Sequence, residues 1–362
     1  MRSKQKLSDV IQVNPRRQLK IGDIAPFVAM QDIAPHEKKI SRYTARKVSG
    51  SNKTFQNGDT LLAKITPSLE NGKTTFVDIL KENEIGHGST EFFVLCGKEN
   101  QTLDQFVYYL MRTAEFREEA IRSMTGTSGR QRVQETIFDD YEIVLPSLSI
   151  QEKISKTLSD LDSKIQNLQN QNNTLEQMTQ EIFKSWFVDF DGVTEFEDSE
   201  LGKIPKGWSV DTIDKISKVV VGYVGSVSKH YCEQIDGIPM IRTTDLKANG
   251  IFYEDLKYVT KEFHHNQKKS QLKNGYILIA RFGKSGLPCI FDQEFDANCL
   301  NTVIIKPSKK EYFSYYIFHT LKTPKFQSQF QISADGTVQD CLNTKTIAGT
   351  LIFIPSEDIL QK

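Results

Sequence analysis

Two tripeptides in this sequence, Gly72-Lys73-Thr74 and Gly283-Lys284-Ser285, carry the residue types that end a phosphate-binding loop, where a lysine and a hydroxyl meet a nucleotide and its metal. Such a loop also needs a glycine five residues before its Gly-Lys pair, and Pro67 and Leu278 stand there instead. Nucleotide hydrolysis is therefore not expected. Amino-methyl transfer would need an Asn/Asp-Pro-Pro-aromatic loop to hold the target amine, and no two prolines are adjacent. No Gly-x-Gly-x-x-Gly follows a strand pattern, and no Gly-x-Ser-x-Gly elbow is present. His264-His265 is the one close pair among six histidines; its adjacency points the rings apart, which predicts a surface loop rather than a metal site. The five cysteines are scattered without a Cys-x-x-Cys pair, which predicts buried thiols rather than disulfides or a structural zinc. The chain is expected to carry out no reaction unaided.

Side chains suited to holding a polyanion are easier to find. Lys64 and Arg281 occupy matching positions, each ending a strand pattern that follows an Asn-Gly turn. The segment Gly126-Thr127-Ser128-Gly129-Arg130-Gln131-Arg132 joins a pliable backbone to the side chains that pair bidentately with guanine and adenine edges. Its counterpart, Ala334 to Asp340, keeps Thr337 and Gln339. Lys73, Lys284 and Arg242 complete the set of candidate DNA contacts.

The net charge of zero masks a division along the chain. Residues 1–50 hold 11 Lys/Arg against 4 Asp/Glu, a balance of +7, whereas residues 151–200 hold 4 against 11, a balance of −7. A basic face for nucleic acid and an acidic face for a protein partner would produce that division. No run approaches the roughly 20 apolar residues of a membrane span, and the first residues lack an apolar stretch, so a cytoplasmic protein is expected.

The elements that must position these residues occur twice, about 213 positions apart. Asn57-Gly58 opens a strand pattern in the first half, as Asn274-Gly275 does in the second, and Pro146 and Pro355 close matching blocks. Asp32 and Asp245 form a further matched pair. A period this long means a duplicated domain rather than a solenoid. Strands are expected at Thr60–Ile65, Thr74–Leu80 and Glu91–Leu95, then a helical stretch at Leu103–Ser123; the second copy repeats these at Tyr276–Arg281, Cys289–Phe291, Thr302–Ile305 and Tyr312–Leu321. The fold class is α+β, with two duplicated α/β domains over residues 1–146 and 194–358 flanking a spacer region over 147–193.

Ile150 to Phe187 contains no Gly or Pro and follows heptads, with Leu158, Ile165, Asn172 and Thr179 on one set of positions and Leu161, Leu168, Leu175 and Ile182 on the other. This predicts one coiled-coil helix of about 55 Å. Its seam is expected to pack on another helix, with the Asn172 amide selecting the register. The dense rings of Phe183, Trp186, Phe187 and Phe190 predict a plug at the helix end.

The block Leu145-Pro146-Ser147-Leu148-Ser149-Ile150-Gln151-Glu152-Lys153-Ile154, the heptad helix and Ile182-Phe183-Lys184-Ser185-Trp186-Phe187-Val188-Asp189-Phe190 together resemble the central region of the DNA specificity subunit of type I restriction–modification enzymes. The flanking copies are similar to that family's target recognition domains, through Ile24-Ala25-Pro26-Phe27-Val28 with Asp32 and Ile238-Pro239-Met240-Ile241-Arg242 with Asp245. The resemblance implies a non-catalytic reader, each domain taking half of a bipartite site in double-stranded DNA. It also implies modification subunits on the helix that methylate adenine with S-adenosylmethionine, and a restriction subunit driven by ATP and magnesium. This chain itself would hold no cofactor. The family's second spacer helix would begin near residues 359–362, where this sequence stops, so self-association through the unpaired seam is expected. Competing readings are a DNA methyltransferase or nuclease with its own recognition domain, and a structural coiled-coil adaptor.

Overall fold

The computed structural model describes residues 3–281, 286–308, 311–335 and 344–360. Lys284, Thr337 and Gln339 lie outside these residues. The chain separates into two compact units, Met1–Thr174 and Leu175–Lys362, and the boundary falls within the single long helix, Leu148–Phe187.

In the first unit an antiparallel sheet runs in the order Ile11–Val13, Phe92–Gly97, Thr60–Ala63, Thr74–Phe76. Its central strands are buried at nearly every position because both faces are covered. Leu62, Phe93 and Leu95 pack under the helices Asp104–Met111 and Ala114–Arg122, whereas Leu61, Phe92 and Val94 meet Val28, Ile33 and Phe55 on the other side. That second layer belongs to a mixed sheet in the order Thr44–Lys47, Ile24–Val28, Gly86–Gly88, Lys53–Phe55, in which only the central pair is parallel.

The second unit repeats this plan. Its antiparallel sheet runs Ser217–Val221, Thr302–Pro307, Tyr276–Ala280, Pro288–Phe291. Its mixed sheet again has a parallel pair, Ile238–Arg242 with Ala297–Leu300, plus an added edge strand at Tyr231–Cys232. Leu278 faces the inter-sheet core and Ile279 the core beneath the helix Glu311–Lys322, as Leu61 and Leu62 do in the first unit. The duplication expected from the sequence therefore extends to strand order and to which face each side chain buries.

Several local expectations need correction. The helical stretch at Leu103–Ser123 is two helices: Thr113 has extended backbone and its hydroxyl accepts from the Phe116 amide, starting a new helix there. The strand expected over Thr74–Leu80 stops at Phe76, because the next amides bond to loop groups; Val77 donates to the Asp59 carbonyl and Leu80 to Asn57 Oδ1. His264-His265 lies on the helix Lys261–Asn266 rather than on a loop.

The rings at the C-terminal end of the long helix do form a plug. Phe183 stacks on Phe187 at 4.8 Å between centroids, Phe187 meets Tyr316 edge-on at 5.2 Å, and Phe190 meets Trp208 at 5.4 Å. Trp186 stays exposed. Cys96, Cys289 and Cys299 are buried thiols and Cys232 is half-buried, with burial raising Cys289 to about 11 and Cys299 to about 12. Among the described residues no helix is long and apolar enough to cross a membrane.

Candidate nucleic-acid interface

Lys64 leaves the strand Thr60–Ala63 between two backbone anchors: its amide donates to the Glu91 carbonyl (3.0 Å), and its carbonyl accepts from the Val133 amide (2.8 Å). The half-buried ammonium sits 5.6 Å from the centre of the Phe93 ring. Burial lowers its pKa, Glu91 opposes that shift, and Lys53 and Arg132 add to it. Lys64 therefore belongs to a mixed charge cluster in which Lys53 and Arg132 are offset by Glu91 and Glu135.

The segment before Val133 closes on itself as a small loop. Thr125 and Arg132 exchange both backbone hydrogen bonds, at 3.0 and 2.9 Å, and Gly126 and Gly129 supply the positive φ values of 126° and 77° that the reversal needs. The Gln131 carbonyl accepts from the Thr66 amide at 3.0 Å, which ties the loop to the same strand end. Arg130 projects into solvent with no polar side-chain partner among the described residues, and Gln131 is half-buried beside it. Arg132 is already engaged: Nε lies 2.9 Å from Glu91 Oε2 and Nη2 lies 2.8 Å from Oε1. The fork raises the arginine's pKa and lowers that of Glu91. The fold thus brings Lys64, Arg130, Gln131 and Arg132 together, although 66 residues separate Lys64 from Arg130.

The other candidates are placed differently. Lys73 donates from Nζ to the Met30 carbonyl at 2.8 Å, so its charge closes a turn. Arg242 grips Asp245, with Nε 2.9 Å from Oδ2 and Nη2 2.7 Å from Oδ1, while its Nη2 also donates to the Asp255 carbonyl at 3.0 Å. Asp245 in turn accepts the Arg242 amide at 2.8 Å, as Asp32 accepts that of Ala29 at 2.8 Å. These matched aspartates are buried caps for equivalent turns. Arg281 is half-buried directly after the strand Tyr276–Ala280, the place Lys64 has in the first unit.

Within the first unit the long helix docks through a polar face. Gln151, fully buried, accepts from the Leu103 amide at 2.9 Å and donates to the carbonyls of Gln101 (2.9 Å) and Pro146 (3.0 Å). Ser159 accepts from Lys38 (3.1 Å) and Gln105 (3.0 Å), and Asp162 accepts from the Tyr109 hydroxyl at 2.7 Å. The heptad seam points elsewhere: Leu161, Ile165, Leu168, Asn172 and Leu175 are exposed and Leu158 is half-buried. Reasoning from the sequence missed both Glu91 as the partner of Arg132 and the polar docking face. The second had a signal, the run Gln151, Ser155, Ser159, Asp162 at helical spacing.

Among the described residues no three His, Cys, Asp or Glu side chains gather as a metal site would require. Residues 6–177 match the family described as type I restriction modification DNA specificity domain. The chain is 28% identical over 269 residues to the type I restriction enzyme MjaIX specificity subunit of Methanocaldococcus jannaschii, covering 72% of this chain and 60% of that one. It is 23% identical to the HindI specificity subunit of Haemophilus influenzae, covering 86% and 79%. The chain thus spans about 60% of the length of the MjaIX and MjaVIII relatives. Its fold is similar to the crystal structure of a type I restriction–modification S subunit from M. genitalium, with a TM-score of 0.56 and 15% identity over 99% of this chain and 86% of that one. With a two-sheet domain that occurs twice in the sequence, before and after one long helix, the chain is similar to the type I restriction–modification DNA specificity subunits.

Proposed function

We propose that this chain is the sequence-reading, non-catalytic subunit of a type I restriction–modification complex in the cytoplasm. Each recognition domain reads half of a bipartite site in double-stranded DNA. The acidic helix carries modification subunits that transfer a methyl group from S-adenosylmethionine to adenine, and a restriction subunit using ATP and magnesium completes the assembly. The observation that carries this reading is the repeated placement of a cation, Lys64 or Arg281, at the end of equivalent central strands in two domains of one topology.

In the first unit that strand end is joined to a loop whose Arg130 is free to reach a base edge, while Arg132 is shared with Glu91. Phosphate contacts would position the domain and the loop would specify the sequence. Mapping adenine methylation in cells with and without this gene tests the reading. Loss of one bipartite methylated motif on deletion supports it, and an unchanged methylation map refutes it.

The exposed seam supports a second element of the proposal, that a helix from another subunit or a second copy of this chain covers Leu161, Ile165, Leu168 and Leu175.

A further inference from the structure

With the long helix set aside, the four most exposed large apolar side chains among the described residues are Ile235 at 90%, Ile21 at 76%, Ile24 at 71% and Val224 at 61%. Three of them, Ile21, Val224 and Ile235, lie on one topological connection present once in each unit, and Ile24 opens the strand that this connection enters. The connection leaves the first strand of the antiparallel sheet, Ile11–Val13 or Ser217–Val221, and enters the parallel-paired strand, Ile24–Val28 or Ile238–Arg242. The two connections share almost no sequence, yet each carries an isoleucine near its end, Ile21-Gly22-Asp23-Ile24 in one and Ile235-Asp236-Gly237-Ile238 in the other. A branched aliphatic group held in water adds nothing to either core, so its recurrence in both copies calls for a role outside the fold.

The surroundings in the first unit are cationic. Ile21 lines a cleft of about 400 Å³ with Arg16, Asn52 and Lys53, and Ile24 is opposite Lys47 in the strand ladder. Lys53 is also an electrostatic neighbour of Lys64, so the cleft adjoins the cluster of Lys64 and Arg132. In the second unit Lys229 and Glu233 both fall between Val224 and Ile235, and Asp236 follows, so the cationic setting is a property of the first unit. A protein-docking surface would gather its apolar area into a contiguous centre with few charges. Single aliphatic groups, set among cations in the first unit, fit instead a groove whose rims are phosphate and whose floor offers an apolar spot. In the major groove that spot is the methyl group of thymine.

We infer that Ile21 and Ile235 each contact a thymine methyl group in the major groove, one in each half-site. This rests on the DNA-reading function proposed above. Any half-site containing an adenine to be methylated also presents a thymine on the paired strand.

The test uses the full chain co-expressed with its modification subunits and duplexes carrying the mapped site, with each thymine in turn replaced by deoxyuridine, which lacks only the methyl group. Ile21→Ala is expected to lower affinity about fourfold, the scale of burying one methyl group. One deoxyuridine position should lower the affinity of the unsubstituted complex by a similar factor, and combining the two changes should cost no more than either alone. Ile235→Ala should behave in the same way in the other half-site. Variants that bind every duplex as the unsubstituted complex does would overturn the inference, and so would losses that multiply at every deoxyuridine position. If the unsubstituted complex does not prefer its mapped site to an unrelated duplex, the DNA reading fails and takes this inference with it. Preference without coupling removes the methyl contact alone.

Discussion

Arg132 and Glu91 form a forked ion pair, with both carboxylate oxygens within 3.1 Å of the guanidinium Nε. The pair sets Glu91, together with Glu135, against the cations Lys64, Lys53 and Arg132. DNA approaching this face would compete with Glu91 for Arg132. Glu91→Gln should therefore raise DNA affinity at low salt and steepen its salt dependence by up to about one counterion. Equal salt slopes in the two proteins would show that Arg132 stays away from phosphate.

The same pair has a defined pH dependence. Arg132 holds the Glu91 pKa below the ordinary carboxylate range, so the pair contributes stability above the unfolded-state pKa and loses it as pH falls through the depressed folded-state value. The stability difference between the unsubstituted chain and Glu91→Gln should be constant from neutral pH to about pH 6 and shrink as pH falls below about 4. Denaturant titrations across that range would measure it.

Lys64→Ala and Arg281→Ala are each expected to weaken DNA binding across all sequences, and the salt slope should fall by about one unit for each phosphate that the variant no longer neutralises. Unchanged affinity and slope in both variants would remove these residues from the interface.

Substitution of Arg130 or Gln131 should relax preference at one half-site only, by roughly 1–3 kcal/mol for each bidentate base pairing removed. Sequencing of methylated sites in cells carrying Arg130→Ala reads this directly. Both half-sites retained unchanged would make these ordinary turn residues.

Gln151 is the main polar anchor of the helix on the first unit, and Gln151→Ala would strip partners from the Leu103 amide and the Gln101 and Pro146 carbonyls. A destabilisation of about 2–3 kcal/mol is expected in chemical denaturation. The seam is independent of that anchor. Leu161→Asp combined with Leu168→Asp should abolish self-association of the isolated chain at micromolar concentration and remove any dependence of its melting temperature on protein concentration. A monomeric unsubstituted chain by sedimentation would refute a self-paired seam.

Much of this was legible in the amino-acid order. The duplicated strands, the long helix and the aromatic plug follow from periodicity, because side chains repeating every two or three to four residues leave one low-energy way to bury them. The mixed sheets were not legible, since strands of two to five residues such as Gly86–Gly88 and Gln271–Leu272 carry too few residues to show a period.

One buried pair shows where tertiary structure takes over. In the first unit His87 Nδ1 accepts from Asn52 at 2.6 Å; at the equivalent strand position of the second unit stands Asn298, which accepts from His264 Nδ1 at 2.6 Å. The same hydrogen bond is made with its two residue types exchanged, so a residue-by-residue comparison of the copies finds only differences. Sequence alone determined the two domains, the helix between them and the cations at the strand ends, because those depend on local pattern. Which cations remain free was decided by tertiary structure. Arg132, Lys73 and Arg242 are engaged by Glu91, the Met30 carbonyl and Asp245, and for Arg132 and Lys73 the partner lies more than 40 residues away. A charge is satisfied by whatever the fold brings within about 3 Å, and that distance is not written in the order of residues.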